Sequence, residues 1–299
     1  MKALNIAMNN PSKKIESYIV PPLSNRVRLS DFAPGIFKSL VSKKATKNAI
    51  KKGLVWVNGK KGYTGDFILG GETVDLYQAK EDSSKPSIQL DINVYFEDDY
   101  LAIVNKPAGV VVSGNKRLTL ENALPSVLNK SSQPDALNRP EPIHRLDFPT
   151  SGALLIGKTQ SMVIALNKLF ETREIDKRYL AITIGKQKPE GIINEDIDQK
   201  ASKSEYSVIK SVPSDRFNYL NLVQLNPHSG RRHQLRKHLL FIGNPILGDA
   251  VYYIEDKILK GKGLYLHSHS LKFLHPVTKE NIHCIVPPPS KFHKLFPDI

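Results

Sequence analysis

The chain is poor in cysteine, in acidic residues and in long apolar runs, and each shortage excludes something. Among 299 residues there is one cysteine, Cys284. An internal disulfide framework is therefore excluded, and a reducing cytosol is the expected compartment. Cys284 sits in the strand-like run from Asn281 to Val286 and reads as a small buried residue, not as a nucleophile. No apolar run is long enough to span a bilayer and no N-terminal signal peptide is visible, so no membrane partner is expected. Internal repeats and low-complexity tracts are also missing. Acidic residues number 29 against 43 Lys and Arg, a formal net charge of +14. With a pI of about 9.6, this balance points to a polyanion, nucleic acid first. Hydrophobic residues, 40% of the total, suffice for one large domain and a small one.

What is present is concentrated in HRLDFPTSGALLIGKT, His144 to Thr159. A charged cluster, His144, Arg145 and Asp147, leads into the turn signal Phe148-Pro149-Thr150-Ser151-Gly152. The run Ala153 to Ile156 then reads as a buried strand. Pro149 disfavours a helical Phe148, so Asp147 is expected on a rigid loop entering a core strand. That suits a carboxylate needing fixed geometry, as a catalytic acid, base or nucleophile does. For a lone aspartate, an Arg–Asp ion pair on a turn would be the better reading. A protein-kinase catalytic loop is excluded: Gly152 stands where the required Asn should be, and no Gly-rich phosphate loop precedes it.

The stretch as a whole closely resembles the signature of the RluA family of pseudouridine synthases: HRLD, two variable residues, TSG and an apolar strand. In that family the Asp of the motif is catalytic, which here implies Asp147. Three other phrases fit the same family. Asn105-Lys106-Pro107-Ala108-Gly109 resembles the opening of its catalytic domain, although Ser113-Gly114 replaces the usual His-Pro pair. Lys177 to Ala181 matches KxYLA, which implies that Tyr179 lies against the target base; on its own it would read as a half-buried strand aromatic. Gly230 to His238 matches GRxHQxRxH, with Arg232 at the variable position, and implies a salt bridge from Arg236 to Asp147.

Taken in order, residues 1–25 are polar, carry Pro21-Pro22 and read as a loosely ordered arm. A cap at Arg28 to Asp31 precedes Phe32, Ile36, Phe37 and Leu40 at helical spacing. A second helix is expected from Lys44 to Lys52, with Gly53 as its C-cap. Leu54 to Val57 reads as a strand entering the turn Asn58-Gly59, and Thr73 to Tyr77 as another strand. Residues 26–78 resemble the alpha-L RNA-binding domain, named for ribosomal protein S-four. The resemblance makes Lys43, Lys44, Lys47 and Lys51 RNA contacts; without it they would read as a solvated helix face. Residues 79–87 read as a linker.

The second domain, 88–299, is expected to place two strands around the acidic turn in Val94 to Val104 and an amphipathic helix at Ser161 to Thr172. Strands are expected at Lys177 to Ile182, Glu205 to Val212 and Tyr219 to Leu225. A helix after Gly230 should carry Arg231, Arg232, His233, Arg236, Lys237 and His238. So many cations on one short helix would repel one another without an anionic partner such as phosphate or a buried carboxylate. His267 and His269 share a strand face, but no cysteine or carboxylate cluster completes a metal set. They read as structural, and no metal is expected.

The fold class implied is α+β: a pseudouridine synthase catalytic fold, with a mixed, largely antiparallel sheet and a central cleft, plus the small alpha-L domain. The implied reaction is isomerisation of uridine to pseudouridine in RNA without a cofactor. Asp147, Tyr179 and Arg236 would be its catalytic groups, with Arg145, Arg231, Arg232, His233 and Lys237 touching RNA. Ribosomal RNA of the large subunit is the favoured substrate, a transfer RNA the runner-up, and a monomer the expected state. The reading from another class is a catalytically inactive RNA-binding or ribosome-assembly factor. Asp147, Tyr179 and Arg236 occurring together argue against it.

Overall fold

A computed structural model describes residues 13–38, 40, 42–77, 87–259 and 261–298. The chain forms two compact units, Met1–Lys85 and Pro86–Ile299. Residues 79–86 of the expected linker and 1–12 of the expected arm lie outside the described residues.

The first unit runs β1 (Lys14–Ile19), β2 (Val27–Arg28), α1 (Leu29–Phe32), α2 (Lys43–Lys51), β3 (Val55–Val57), β4 (Lys60–Lys61), β5 (Phe67–Ile68) and β6 (Thr73–Tyr77). Its main sheet has the order β1-β6-β3-β4, and β2 pairs with β5. The sequence reading needs correction twice. Lys14–Ile19, expected in a loose arm, pairs antiparallel with β6, from Ile19↔Thr73 to Lys14↔Tyr77. The helix expected to reach Leu40 stops at Phe32. Pro34 has no N–H to continue the ladder, and Gly35 turns the chain at φ +86°. Phe37 still reaches the core beside Leu29, Ile50 and Val74. Elsewhere local chemistry decides: Ser42 caps α2 by accepting from the Ala45 N–H, and Asn58 and Gly59 take the positive φ values of a tight hairpin turn.

The second unit continues with β7 (Val94–Glu97), β8 (Leu101–Lys106), α3 (Leu120–Val127), β9 (Ala136–Pro142), β10 (Ser151–Thr159), α4 (Gln160–Thr172), β11 (Asp176–Ile184), β12 (Glu190–Asn194), β13 (Lys203–Ser214), β14 (Asn218–Pro227), α5 (Gln234–Phe241), β15 (Leu266–Leu274), β16 (Asn281–Ile285) and α6 (Ser290–His293). One ten-stranded sheet has the path β12-β13-β14-β11-β15-β10-β8-β7, with β16 added to β15 and β9 to β10. The pairing is antiparallel except between β10 and β15, so the sheet is mixed and largely antiparallel, as expected.

The parallel contact explains the Thr-Ser-Gly of the signature. Ser151 and Gly152 lie beside His267 and Ser268. Ser151 Oγ is 2.9 Å from His267 Nδ1. Gly152 has φ +114°, and a Cβ there would collide with the Ser268 backbone. Every residue of β10 is buried, so the loop before it is anchored in the middle of the sheet. No helix among the described residues is long and apolar enough to cross a membrane.

Candidate active site

Asp147 sits in the turn that enters β10, with Thr150 N–H donating to its carbonyl at 3.0 Å. The next carbonyl, of Phe148, accepts from Gly109 N–H at 2.8 Å. It also lies 3.4 Å from the Nζ of Lys106. That ammonium is fully buried and donates to the carbonyls of Pro107 and Val110, each at 2.8 Å. Burial pushes the Lys106 pKa down to about 8, against the pull of Asp147. The Asn-Lys-Pro-Ala-Gly phrase therefore ties the end of β8 to the Asp147 loop, a role that sequence reading did not assign.

Two basic groups face the half-buried carboxylate of Asp147. Arg236 Nη1 is 3.4 Å from Oδ2, and His233 Nε2 is 3.7 Å from Oδ1. The expected Arg236–Asp147 contact is present, but it is not the main bond of Arg236. Asp249 holds the guanidinium bidentately, Nε to Oδ2 at 2.7 Å and Nη2 to Oδ1 at 2.8 Å. Burial works against the charge of Arg236, but Asp249 and Asp147 outweigh it and raise its pKa. Asp249 also accepts from the N–H groups of Val251 and Tyr252. The Tyr252 ring lies against the guanidinium, 4.9 Å from centroid to Cζ. Neither Asp249 nor Tyr252 was given a role from sequence, because a carboxylate some residues beyond a helix gives no local sign of its partner.

The surrounding cleft encloses about 950 Å³ and is lined by Asp147, Tyr179, Arg145, Arg231, Arg232 and His233, among others. Tyr179 is half-buried in β11, and burial pushes its phenol up to about 12, so the hydroxyl keeps its proton at neutral pH. Arg145 and Arg232 are exposed at the rim. Arg231 reaches the Ala201 carbonyl at 3.3 Å. Lys237 pairs instead with Asp198 at 3.1 Å and is absent from the lining. The cation-rich helix needs correction: α5 begins at Gln234, so Arg231, Arg232 and His233 occupy the turn before it. His233 takes φ +58°, which ends the regular helix there.

His144 also departs from expectation. Its Nε2 accepts the Leu155 N–H at 3.1 Å, its ring packs on Phe170, and burial pushes its pKa down to about 3. It is a neutral strut, not part of a charged cluster. Lys43, Lys44, Lys47 and Lys51 are exposed on α2 of the first unit, and Lys43 pairs with Asp31 at 2.6 Å. Of the paired histidines, His267 bonds Ser151 and the Val286 carbonyl, and His269 the same carbonyl. Among the described residues no group of three or more His, Cys, Asp or Glu is arranged to hold a metal.

A carboxylate faced by an arginine and a histidine, in a cleft rimmed by cations, suits chemistry on an anionic substrate. Comparison with known proteins makes the class specific. Residues 100–241 match the family model described as RNA pseudouridylate synthase. The ribosomal large subunit pseudouridine synthase D of Xanthomonas campestris is 30% identical over 271 residues, 82% of this chain and 81% of that protein. The tRNA pseudouridine synthase C of Haemophilus influenzae is 32% identical over 64% of this chain and 90% of that one. A solved structure, human RNA pseudouridylate synthase domain containing 4, superposes with a TM-score of 0.55 at 25% identity, covering 68% of this chain and 92% of that one. The chain belongs to the RNA pseudouridine synthases, isomerases that act on RNA.

Proposed function

We propose that the protein converts uridine to pseudouridine in large-subunit ribosomal RNA and that Asp147 is the catalytic carboxylate. The observation that carries the second part is the convergence of Arg236 and His233 on the two oxygens of Asp147, inside the cleft that Tyr179 lines. The reaction breaks the bond from C1′ to N1 of uracil, turns the base and joins C1′ to C5. The C5 proton leaves and N1 gains one, so nothing is oxidised or consumed and no cofactor is needed. Asp147 acts on the sugar as the base departs, or takes up a proton, while Arg236 stabilises its charge. Tyr179 offers a ring face to the base and, with its proton in place, starts as a hydrogen-bond donor.

Reaching the cleft requires the uridine to leave its stack, which costs a few kcal/mol. Phosphate contacts offset this cost, and exposed Arg145, Arg232 and the α2 lysines are the cations available for them. We read the first unit as an alpha-L RNA-binding domain, on the basic face of α2 and the Asn58-Gly59 hairpin behind it. Ribosomal RNA is favoured by the Xanthomonas relative, whose match spans most of both chains. The Haemophilus relative keeps a transfer RNA as the second reading. Mapping pseudouridines in total RNA from cells with and without the gene tests the choice. A missing modification in large-subunit ribosomal RNA is expected; one missing only from transfer RNA would overturn the ribosomal assignment.

A further inference from the structure

His233 adopts a backbone conformation that non-glycine residues seldom take, φ +58°, directly before α5. Such conformations persist when surrounding contacts impose them. Here the imidazole is hydrogen-bonded at Nδ1, while Nε2 points toward the carboxylate without bonding it. Nδ1 lies 2.9 Å from the Tyr252 hydroxyl, and the two rings meet edge to face with centroids 5.5 Å apart. Nε2 faces Asp147 Oδ1 at 3.7 Å. Tyr252 is itself anchored, by its N–H on Asp249 and its ring against Arg236. Both groups that face Asp147 are thus braced by one segment, Asp249 to Tyr252.

We propose that His233 is a positioning residue for Asp147: the Tyr252 hydroxyl donates to Nδ1, which places the imidazole proton on Nε2, aimed at Oδ1 of the carboxylate. The opposite tautomer would turn a lone pair of Nε2 toward a carboxylate oxygen, a repulsive arrangement. With Arg236 Nη1 3.4 Å from Oδ2 and the Nε2 proton 3.7 Å from Oδ1 by heavy-atom distance, both oxygens of the carboxylate face a donor, and a small closing movement would bond the second. The charged and titratable groups acting on the ring are Asp147, Arg236, Arg232, Lys237 and Tyr252. Burial, with the cations' help, keeps the ring neutral against the pull of Asp147. This role rests on Asp147 being the catalytic carboxylate.

The test uses the full-length protein uniformly labelled with nitrogen-15. Long-range proton–nitrogen spectra, assigned with His233→Asn, should show His233 protonated at Nε2 with an unprotonated Nδ1. Tyr252→Phe should shift the ring toward a mixture of tautomers. Single-turnover rates then separate side chain from backbone. His233→Gly keeps the left-handed backbone and removes the ring, and should slow the reaction about tenfold to a hundredfold. The RNA concentration for half-maximal rate should hold. Tyr252→Phe should slow it less, and the double variant should match His233→Gly alone, because both act on one hydrogen-bond chain. Protonation at Nδ1, or wild-type turnover by His233→Gly, would overturn the proposal. An active Asp147→Asn variant beside an Nε2–H spectrum would overturn the catalytic assignment of Asp147 and with it the positioning role, while the hydrogen-bond chain stood.

Discussion

Asp249 is the residue on which the basic side of the site turns. Arg236 is almost wholly buried, so its charge depends on a partner that never leaves. Asp249, with no side-chain exposure, supplies two bonds under 3 Å, whereas Asp147 offers one of 3.4 Å. Asp249→Asn should therefore destabilise the folded protein by about 3–5 kcal/mol in urea unfolding, since it strands a buried cation. It should also lower turnover, through Arg236, with less effect on RNA binding. Stability within about 1 kcal/mol of wild type would show that Asp147 alone can hold Arg236. His144 leads to a pH prediction. Its folded pKa of about 3 lies below the ordinary value of 6.5, so unfolding takes up a proton between those values. The stability it confers is complete above pH 6.5 and is lost as pH falls toward 3, by up to about 1.4 kcal/mol per pH unit. His144→Gln, which can still accept the Leu155 N–H, should flatten this slope in urea titrations at pH 7, 6 and 5. An unchanged slope would mean the acid sensitivity lies elsewhere, His267 being the next buried imidazole.

At the scale of elements, α2 offers the cleanest test. Lys43, Lys44, Lys47 and Lys51 lie exposed on it, while Thr46, Ala49 and Ile50 face the core. Replacing the four lysines by glutamine keeps helix propensity and removes charge. If the helix follows an RNA backbone, the log–log slope of affinity against salt should fall by about 0.7–0.9 for each phosphate that the protein no longer neutralises. The single-turnover rate at saturating RNA should hold. An unchanged slope would return α2 to an ordinary solvated face. The same helix shows what a sequence makes legible. The glycine that ends it, Gly53 at φ +72°, and the Asn-Gly turn after it are local signals, and both lie where expected. β1 was not legible, because its partner β6 lies 58 residues away, as the Ser17–Asp75 bond shows. The start of α5 was misread because cations continue across it and nothing local marks the left-handed His233.

At the scale of the whole molecule, the chain's excess of positive charge suits a polyanionic substrate, and the large sheet brings distant phrases to one carboxylate. Asn-Lys-Pro-Ala-Gly at the end of β8, the turn before β10, β11 with Tyr179 and the approach to α5 all reach the cleft or brace it. Each phrase was readable alone. Their relations were not: Arg236 bonds Asp249 more tightly than Asp147, and Lys106 braces the Asp147 loop, both through long-range packing. The proposed chemistry depends on Asp147. The direct measurement is single-turnover conversion of uridine to pseudouridine in a large-subunit ribosomal RNA transcript by wild type and by Asp147→Asn, with RNA binding followed in parallel. No detectable product is expected from Asp147→Asn, with binding within a few-fold of wild type. Turnover by Asp147→Asn near the wild-type rate would contradict a catalytic Asp147.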